Sequence, residues 1–222
     1  MVQSVRRPVD PVSGVAGDVR GESRGERKER TRRQILDAAL DLCEDSSLVA
    51  LSLRQVAKEV GIVPTAFYRH FDSIEDLGLA LVEESFVSLR EMLKDVRRSD
   101  PTYRTIIDSS VRVLAEHTAA QHRHFAFIAR ERVAGPLMVR EAIRHQIDLV
   151  ERELATDLAR LTDPAHWSTE DLRVLSNLIV TLMVGTTESI VNARPEDRPA
   201  ILERARTQLR MLLVGALRWS SP

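Results

Sequence analysis

The residues from Ser52 to Phe71 constrain the fold most, because they read as two short helices joined by a tight turn. Ser52 is a favourable N-cap, and Gln55 can complete a capping box three residues later. Gly61 is placed to end the first helix because glycine adopts positive φ without strain. Pro64 fits the first position of the second helix, where its missing N–H is not needed. The apolar residues between these signals recur at the spacing of one helical face: Leu53, Val56, Ala57 and Val60.

The second helix is predicted to run from Pro64 to His70 and to have two different sides. Phe67 and Phe71 lie on its apolar side. The other side carries hydrogen-bond donors, namely Thr65, Tyr68 and Arg69. An apolar helix, a glycine turn and a second helix with a polar side indicate a helix-turn-helix. A purely structural helix pair has the same pattern, so the spacing alone does not decide between the two.

The residue identities favour DNA binding through a family resemblance. Tyr68-Arg69-His70-Phe71, followed by an Asp72-Ser73 cap, resembles the signature of the TetR family of bacterial repressors. The resemblance covers roughly residues 28 to 96. It is closer still to the fatty-acid-synthesis repressors of that family, which are similar in LSLRQVAKEVGI, PTAFYRHF and the later ARERVAG. Many members have Ser or Thr where Val63 stands here, so a hydroxyl contact to phosphate at that cap is lost.

This resemblance implies that two copies of the second helix enter successive major grooves, roughly 34 Å apart or somewhat more. Arg69 and Thr65 are expected at base edges, where an arginine can form two hydrogen bonds with guanine. Three further residues are expected at phosphates or bases, and two others at the DNA backbone. The first three are Arg54, Tyr68 and His70, and the backbone contacts are Thr31 and Ser52. Pro64, at the start of the second helix, is also counted among the DNA-binding residues.

Composition excludes several classes of protein. Strand-like alternation of apolar and polar residues is absent, so the fold is predicted to be all-α. The net charge of −1 permits a local basic patch but not a uniformly basic protein. A single cysteine, Cys43, excludes an internal disulfide and fits a reducing compartment. No signal peptide and no run of 18 or more apolar residues is apparent, so a cytoplasmic location and no membrane partner are expected.

The chain divides into three predicted segments. Residues 1–26 are expected to form a disordered arm, residues 27–72 the three-helix helix-turn-helix DNA-binding domain, and residues 73–222 an α-helical domain for ligand binding and dimerisation. The first helix is predicted from about Lys28 to Glu44, and a long fourth helix from about Ser73 to Arg98. The arm contains basic residues that either contact DNA or belong to a solvated tail: Arg6, Arg7, Arg20, Arg24 and Arg27.

The last two long helices predict a homodimer. The helix from about Ser168 to Asn192 is apolar on all sides, so it must be covered on all sides, yet its apolar run reads as too short to span a bilayer. A two-fold four-helix bundle with the helix from about Asp197 to Trp219 satisfies this requirement, and these helices form the dimer interface in TetR-like proteins. A helix central to a monomer is the alternative. The predicted interface residues are Leu209, Leu212 and Ala216.

No catalytic or metal-binding constellation is apparent, so the chain is predicted not to be an enzyme and to need no cofactor. The sequence lacks a nucleophile elbow, a phosphate-binding loop and a zinc-protease motif. His122 and His124 are two residues apart and diverge on a helix, whereas His117 fits a core histidine, so no metal site is expected.

The domain after residue 73 is predicted to enclose an apolar effector pocket. Its many aliphatic and few aromatic side chains favour a flexible aliphatic ligand. The resemblance points the same way, towards a long-chain fatty acid or its acyl-coenzyme A thioester. The expected tail contacts are Leu114, Phe127, Ile147, Leu178 and Leu182, with Arg130 or Arg132 at the acidic head group. Interhelical ion pairs are the alternative role for these arginines and for Glu188.

Together these observations predict a ligand-responsive repressor of TetR type that binds a palindromic DNA operator as a dimer. By the resemblance, ligand binding tilts the long fourth helix and moves the two reading heads out of register. The alternatives are a TetR-type repressor of an efflux or catabolic operon, a helical lipid-binding protein without a DNA function, and a helical enzyme. Specific binding to duplex DNA with a steep salt dependence separates the repressors from the other two.

Overall fold

A computed structural model describes residues 23–98, 105–161 and 167–219, and no β-strand forms within these ranges. The all-α prediction is therefore confirmed. Short 3-10 turns at Leu48–Ala50 and Pro195–Asp197 supplement the α-helices. The helices are α1 (Arg24–Asp45), α2 (Leu53–Val60), α3 (Pro64–Phe67), α4 (Ile74–Arg98), α5 (Ile106–Ala120), α6 (His122–Ala134), α7 (Leu137–Leu161), α8 (Thr169–Asn192) and α9 (Arg198–Ala216).

Helix α1 begins four residues earlier than the sequence pattern indicated. Ser23 is its N-cap, and the Ser23 hydroxyl accepts a hydrogen bond from the Glu26 backbone N–H at 3.2 Å. The Glu26 carboxylate accepts one from the Ser23 backbone N–H at 2.7 Å, which completes a capping box. Arg24 and Arg27 therefore lie on a helix, and residues 24–26 are not part of a disordered arm. The rest of the predicted arm, residues 1–22, lies outside the described residues.

The helix-turn-helix forms from the local signals in the sequence. Ser52 and Gln55 form the predicted capping box at the start of α2. Gly61 ends α2 with φ of 74°, and its N–H donates to the carbonyl of Lys58. Pro64 occupies the first turn of α3. Helix α3 is shorter than expected, because the N–H groups of Arg69 and His70 donate to carbonyls three residues back, so this segment continues as tight turns.

Replacing Gly61 with alanine is expected to lower the free energy of unfolding by about 1–2 kcal/mol. A Cβ at Gly61 would meet no atom within 4 Å, so the cost comes from the positive φ of 74° and not from crowding. Gly25 in α1 offers a matched control, because its Cβ would have 3.9 Å to the nearest atom and no positive φ is recorded there. Thermal or denaturant unfolding should show Gly61→Ala destabilised and Gly25→Ala neutral or slightly stabilised. Equal stability of the two variants would contradict this account of the turn.

One hydrophobic core connects the helix-turn-helix to the rest of the chain. Phe67 and Phe71 are buried with residues of α1, α2 and α4, and the same cluster includes Phe127 of α6 and Val139 of α7. At Gly78 in α4 an added Cβ would lie 2.4 Å from the Leu48 side chain and 2.9 Å from Val139. We call helices α1 to α3 the head and helices α5 to α9 the body. Helix α4 therefore approaches its neighbours closely where the head meets the body.

Helices α5, α6, α7 and α9 all pack against α8. Contrary to the sequence-based expectation, α8 is long and apolar enough by length and composition to cross a membrane. Few charged residues interrupt its apolar stretch, although threonines and a glycine lie within it. The packing of four other helices against α8 accounts for part of this apolar character, since 28% of its apolar stretch is buried within the chain.

Candidate DNA-binding surface and ligand cavity

The exposed side of the α3 segment carries the residues predicted to read bases. Positions 64, 65, 68 and 69 share one side of a helical turn, and all four residues are exposed. Phe67 is fully buried behind them, and the Tyr68 ring meets the Phe67 ring edge-on with centroids 6.2 Å apart. Burial of Phe67 and Phe71 thus fixes the backbone that presents Thr65, Tyr68 and Arg69 to solvent.

His70 differs from its exposed neighbours because it is half-buried. Its Nδ1 atom is buried without a hydrogen-bond partner. Burial lowers the pKa of His70 below its usual value, and the nearby positive charges of Lys28, Arg32 and Arg69 lower that pKa further. These charges mark a basic region where α1 meets the α3 segment. Arg32 is itself engaged, since its guanidinium donates to the His70 carbonyl at 3.0 Å and lies 4.2 Å from the Phe71 ring centroid.

The remaining predicted DNA contacts lie on α1 and α2. Arg54 is exposed in the first turn of α2. Ser52 is exposed, but its hydroxyl is engaged with Gln55, from which it accepts a backbone N–H at 3.3 Å. The Thr31 hydroxyl donates to the Arg27 carbonyl at 2.9 Å. Arg54 therefore offers a charged group to solvent, whereas the two hydroxyls already have partners within their own helices.

Helix α4 and the body together line a cavity of about 270 Å³. Of the residues predicted to contact a ligand, Leu114, Arg132 and Ile147 line it. Most of the remaining wall is aliphatic or carries sulfur, with Phe86 and Phe125 as its aromatic members. Several lining residues were not predicted from the sequence because they belong to regular apolar stripes on their helices: Leu89, Met92, Leu93, Leu154, Leu158, Ile179 and Met183.

Three other predicted ligand contacts lie elsewhere. Phe127 is buried in the core beneath the head, because it projects from the side of α6 opposite the cavity. Leu178 is 49% exposed on the outer side of α8. Leu182 is half-buried against the small cluster of Val111, Ala205 and Leu209.

A charged pair forms the principal polar feature of the cavity wall. Arg132 Nε donates to Glu188 Oε1 at 2.5 Å, joining α6 to α8. Both side chains are about one-third exposed, at 34% and 30%. Glu188, which the sequence left open between a paired acid and a pocket acid, is therefore both paired and part of the wall. Since each charge offsets the other, the described lining residues do not present a free cation to an anionic ligand.

Arg130 does not line the cavity, and its guanidinium lies at the end of α1 instead. Nη1 donates to the carbonyls of Cys43 at 2.6 Å and Ser46 at 3.0 Å, and Nη2 donates to the Glu44 carbonyl at 2.7 Å. The neighbouring Glu131 is fully buried against the residues that follow α1. Arg130 and Arg132, which were both predicted at the ligand head group, therefore lie at different places, Arg132 at the cavity and Arg130 at the end of α1.

The outer sides of α8 and α9 expose large apolar side chains. Val174 and Leu178 are 51% and 49% exposed on α8. Helix α9 and the residues just beyond it expose four more, each by more than half: Met211, Val214, Leu217 and Trp219. Of the predicted interface residues, Leu212 and Ala216 are half-buried, whereas Leu209 is buried within the chain and lines the cavity. An interface at this surface would therefore be centred on exposed residues such as Met211 and Val214, and not on Leu209.

The histidines do not converge on a metal site within the described part of the chain, which holds no group of three ligating residues. His117 Nε2 lies 3.0 Å from an Asp95 carboxylate oxygen, and His124 Nδ1 lies 3.1 Å from the Ser85 hydroxyl. Each histidine thus joins two helices, α5 to α4 and α6 to α4.

Residues 35–81 match the family model described as bacterial regulatory proteins of the tetR family. Solved structures of similar fold include a protein of Pseudomonas aeruginosa PAO1 described as a transcriptional regulator, with TM-score 0.68 and 18% identity over 90% of this chain and 98% of that one. The fatty acid degradation regulator FadR of Bacillus halodurans has TM-score 0.61 and 15% identity, covering 82% and 94%. The regulatory protein TetR of Rhodobacter sphaeroides has TM-score 0.62 and 20% identity, covering 81% and 97%. At these identities the structural likeness establishes the fold alone.

Proposed function

We infer that this chain is a transcriptional regulator of the TetR family, and that it binds a palindromic operator as a homodimer. The match of residues 35–81 to the family model carries the coarse assignment. The exposed row of Thr65, Tyr68 and Arg69 above buried Phe67 supports a DNA-reading role for the α3 segment. The proposed division is a DNA-binding domain at residues 27–72 and a ligand-binding and dimerisation domain at residues 73–222, in a protein without enzymatic activity.

The dimer is proposed to form through α8 and α9. Both helices expose large apolar residues that a second copy of the chain would cover. Gly185 and Gly215 lie on the outer sides of α8 and α9, where an added Cβ would meet no atom within 4 Å of the same chain. Two-fold packing of both helices gives the four-helix bundle, and it also places two reading heads on one palindrome.

The effector is proposed to be a long-chain acyl compound, with a fatty acid or its acyl-coenzyme A thioester as the candidates. The aliphatic wall of the cavity supports a flexible chain over a planar aromatic molecule. Since Arg132 is paired with Glu188, a neutral thioester carbonyl could accept a hydrogen bond from Arg132 without displacing the pair. A free carboxylate would compete with Glu188, so these contacts support the thioester over the acid.

The same fold and cavity would suit a repressor of an efflux or catabolic operon, in which case the effector would be another apolar compound. A helical lipid-binding protein without a DNA function is the alternative of a different class. Long-chain acyl control of fatty-acid or lipid genes rests mainly on the sequence resemblance and on the aliphatic cavity wall. A cytoplasmic location is proposed because a regulator that binds DNA must share a compartment with it, and the match to the family model supports that role.

Selection of bound fragments from genomic DNA by the purified protein tests the regulatory role. We expect enrichment of a palindromic site whose half-sites lie about one helical turn apart. The affinity for that site should fall steeply with salt, because phosphate contacts release counterions. Enrichment of no common sequence would contradict operator recognition and would favour the lipid-binding alternative.

A chain-length series tests the effector class separately. Palmitoyl-coenzyme A should change operator affinity, whereas acetyl-coenzyme A should change it much less because it cannot fill the cavity. A hundredfold effect requires about 2.7 kcal/mol of preference for one conformation over the other. A flat response across the series would remove the acyl assignment while leaving the regulatory role intact.

A further inference from the structure

Helix α6 contacts the cavity with one side and the DNA-binding head with the other. The cavity side carries Phe125, Ile128, Ala129 and Arg132. The head side carries Phe127, in the core beneath the head, together with Arg130 and Glu131. Because residues three and four apart share a side of a helix, these two sets are fixed on opposite sides. A displacement of α6 from the cavity is therefore also a displacement relative to the head.

Arg130 binds the carboxyl end of α1, which has no cation of its own. The last turn of α1 contains no basic residue, and its final carbonyls lack partners within the helix. The guanidinium of Arg130 supplies the missing donors, since it donates hydrogen bonds to three carbonyls, those of Cys43, Glu44 and Ser46. Its charge also complements the negative end of the helix dipole. This contact fixes the end of α1 to α6.

Glu131 binds the segment that follows α1. Its Oε1 accepts the Leu48 backbone N–H at 3.0 Å, and its Oε2 accepts the Ser47 hydroxyl at 3.2 Å. The side chain is fully buried, and burial raises the pKa of Glu131, while these two hydrogen bonds and the Arg130 charge act in the opposite direction. Gly135 leaves room for it, because a Cβ there would lie 2.7 Å from the Glu131 carboxylate. The segment from Ser47 to Leu51 leads directly into α2.

We propose that Arg130 and Glu131 are positioning residues that transmit the state of the cavity to the DNA-binding head. We call the contacts of these two residues with residues 43–48 the α6 clasp. The inference rests on the proposed function, because it assigns a route by which an effector would change operator affinity. Hydrogen bonds of fixed direction hold the clasp, whereas apolar side chains in the adjoining core can slide past each other. When Arg132 shifts with a bound ligand, the clasp moves the end of α1, and with it α2 and the α3 segment.

The first experiment measures operator affinity with and without palmitoyl-coenzyme A in the full-length protein. If the wild type changes its operator Kd by tenfold or more, Arg130→Ala should reduce that ratio to less than about threefold while its Kd for palmitoyl-coenzyme A stays within about twofold. Arg130→Lys, which keeps the charge but lacks the second terminal nitrogen that reaches the Glu44 carbonyl, should also reduce the ratio. Arg123→Ala is the matched control, because Arg123 pairs with Asp41 and so joins the same two helices through exposed side chains. A wild-type ratio in both Arg130 variants would overturn the proposal.

The second experiment needs no effector and so separates the clasp from the acyl assignment. Glu188→Gln removes the charged partner of Arg132 from α8 without altering α6. Hydrogen exchange in a peptide covering residues 44–50 should then accelerate at least twofold in the wild-type background. In the Arg130→Ala background, Glu188→Gln should add clearly less acceleration, because only the Glu131 contacts to Ser47 and Leu48 remain. The same added effect in both backgrounds, or no effect in either, would overturn the clasp. If palmitoyl-coenzyme A does not change the operator affinity of the wild type, the hydrogen-exchange result alone decides whether the clasp connects the cavity to the head.

Discussion

Replacing Met211 with aspartate is expected to convert the proposed dimer into monomers. Met211 is 71% exposed in the single chain, so the substitution leaves the fold of one subunit intact. In the proposed bundle it would bury an unpaired charge among apolar residues, at a cost of several kcal/mol. The cost applies twice, because a two-fold interface contains both copies of every residue. Sedimentation or light scattering at micromolar concentration measures the outcome, and specific operator binding should be lost with the dimer.

Val87→Asp provides the matched control for this substitution. Val87 is also an exposed apolar residue, at 53%, but it lies on α4 away from the proposed interface. The control should remain dimeric and should fold like the wild type. A dimeric Met211→Asp protein, or a monomeric wild type, would exclude the bundle of α8 and α9.

A charge at Leu209 would not give the same information. The sequence placed Leu209 in the interface, but its side chain is 5% exposed and packs against Val111 and Ala205 of the same chain. Leu209→Asp is therefore expected to destabilise the subunit itself. Loss of the dimer in that variant would follow from unfolding, whatever the interface.

Replacing Arg69 with alanine is expected to weaken operator binding by about 1–3 kcal/mol in each half-site, if its guanidinium pairs with guanine. Across both half-sites the loss is about 2–6 kcal/mol, or roughly thirtyfold to more than ten-thousandfold in Kd. The side chain is exposed, so the fold should be unaffected. Titration of the selected operator and of variants at each base pair would show the loss together with relaxed preference at one position.

Arg54→Ala is the informative comparison, since Arg54 is exposed at the start of α2. If Arg54 contacts phosphate, the variant should lose affinity about equally for all sequences, and its salt slope should fall by about 1 per contact. Unchanged operator affinity in a folded Arg69→Ala protein would remove Arg69 from the base-reading residues. A uniform loss in Arg69→Ala would reassign it to the backbone.

The helix-turn-helix was predictable because its signals are local. A capping pair, a glycine and a proline act within a few residues of where they stand, as the Ser52–Gln55 box and the φ of Gly61 demonstrate. The equally local Ser23–Glu26 box was overlooked because it lies in a segment rich in glycine and arginine. The end of α3 was not predictable, since a residue such as Tyr68 fits an α-turn and a 3-10 turn equally well.

The cavity was harder to predict because it depends on how whole helices are rotated. Each residue turns about 100° from the last in an α-helix, so Arg130 and Arg132 cannot face the same way. Both sides of α6 carry a phenylalanine, and nothing in the local sequence indicates which side meets the cavity. The same ambiguity led to the choice of Leu209, which is buried within the chain, over exposed Met211 as an interface candidate, because α9 has apolar residues on both sides.

The buried thiol of Cys43 has a practical consequence for observing the two heads. Its side chain is 2% exposed, and burial raises its pKa to about 12, so at neutral pH it is neither accessible nor ionised. Since the chain has no other cysteine, one introduced at exposed Glu59 would be the sole target for a maleimide spin label. Paired labels in a dimer would report the distance between the reading heads by electron resonance, with the native sequence otherwise unchanged.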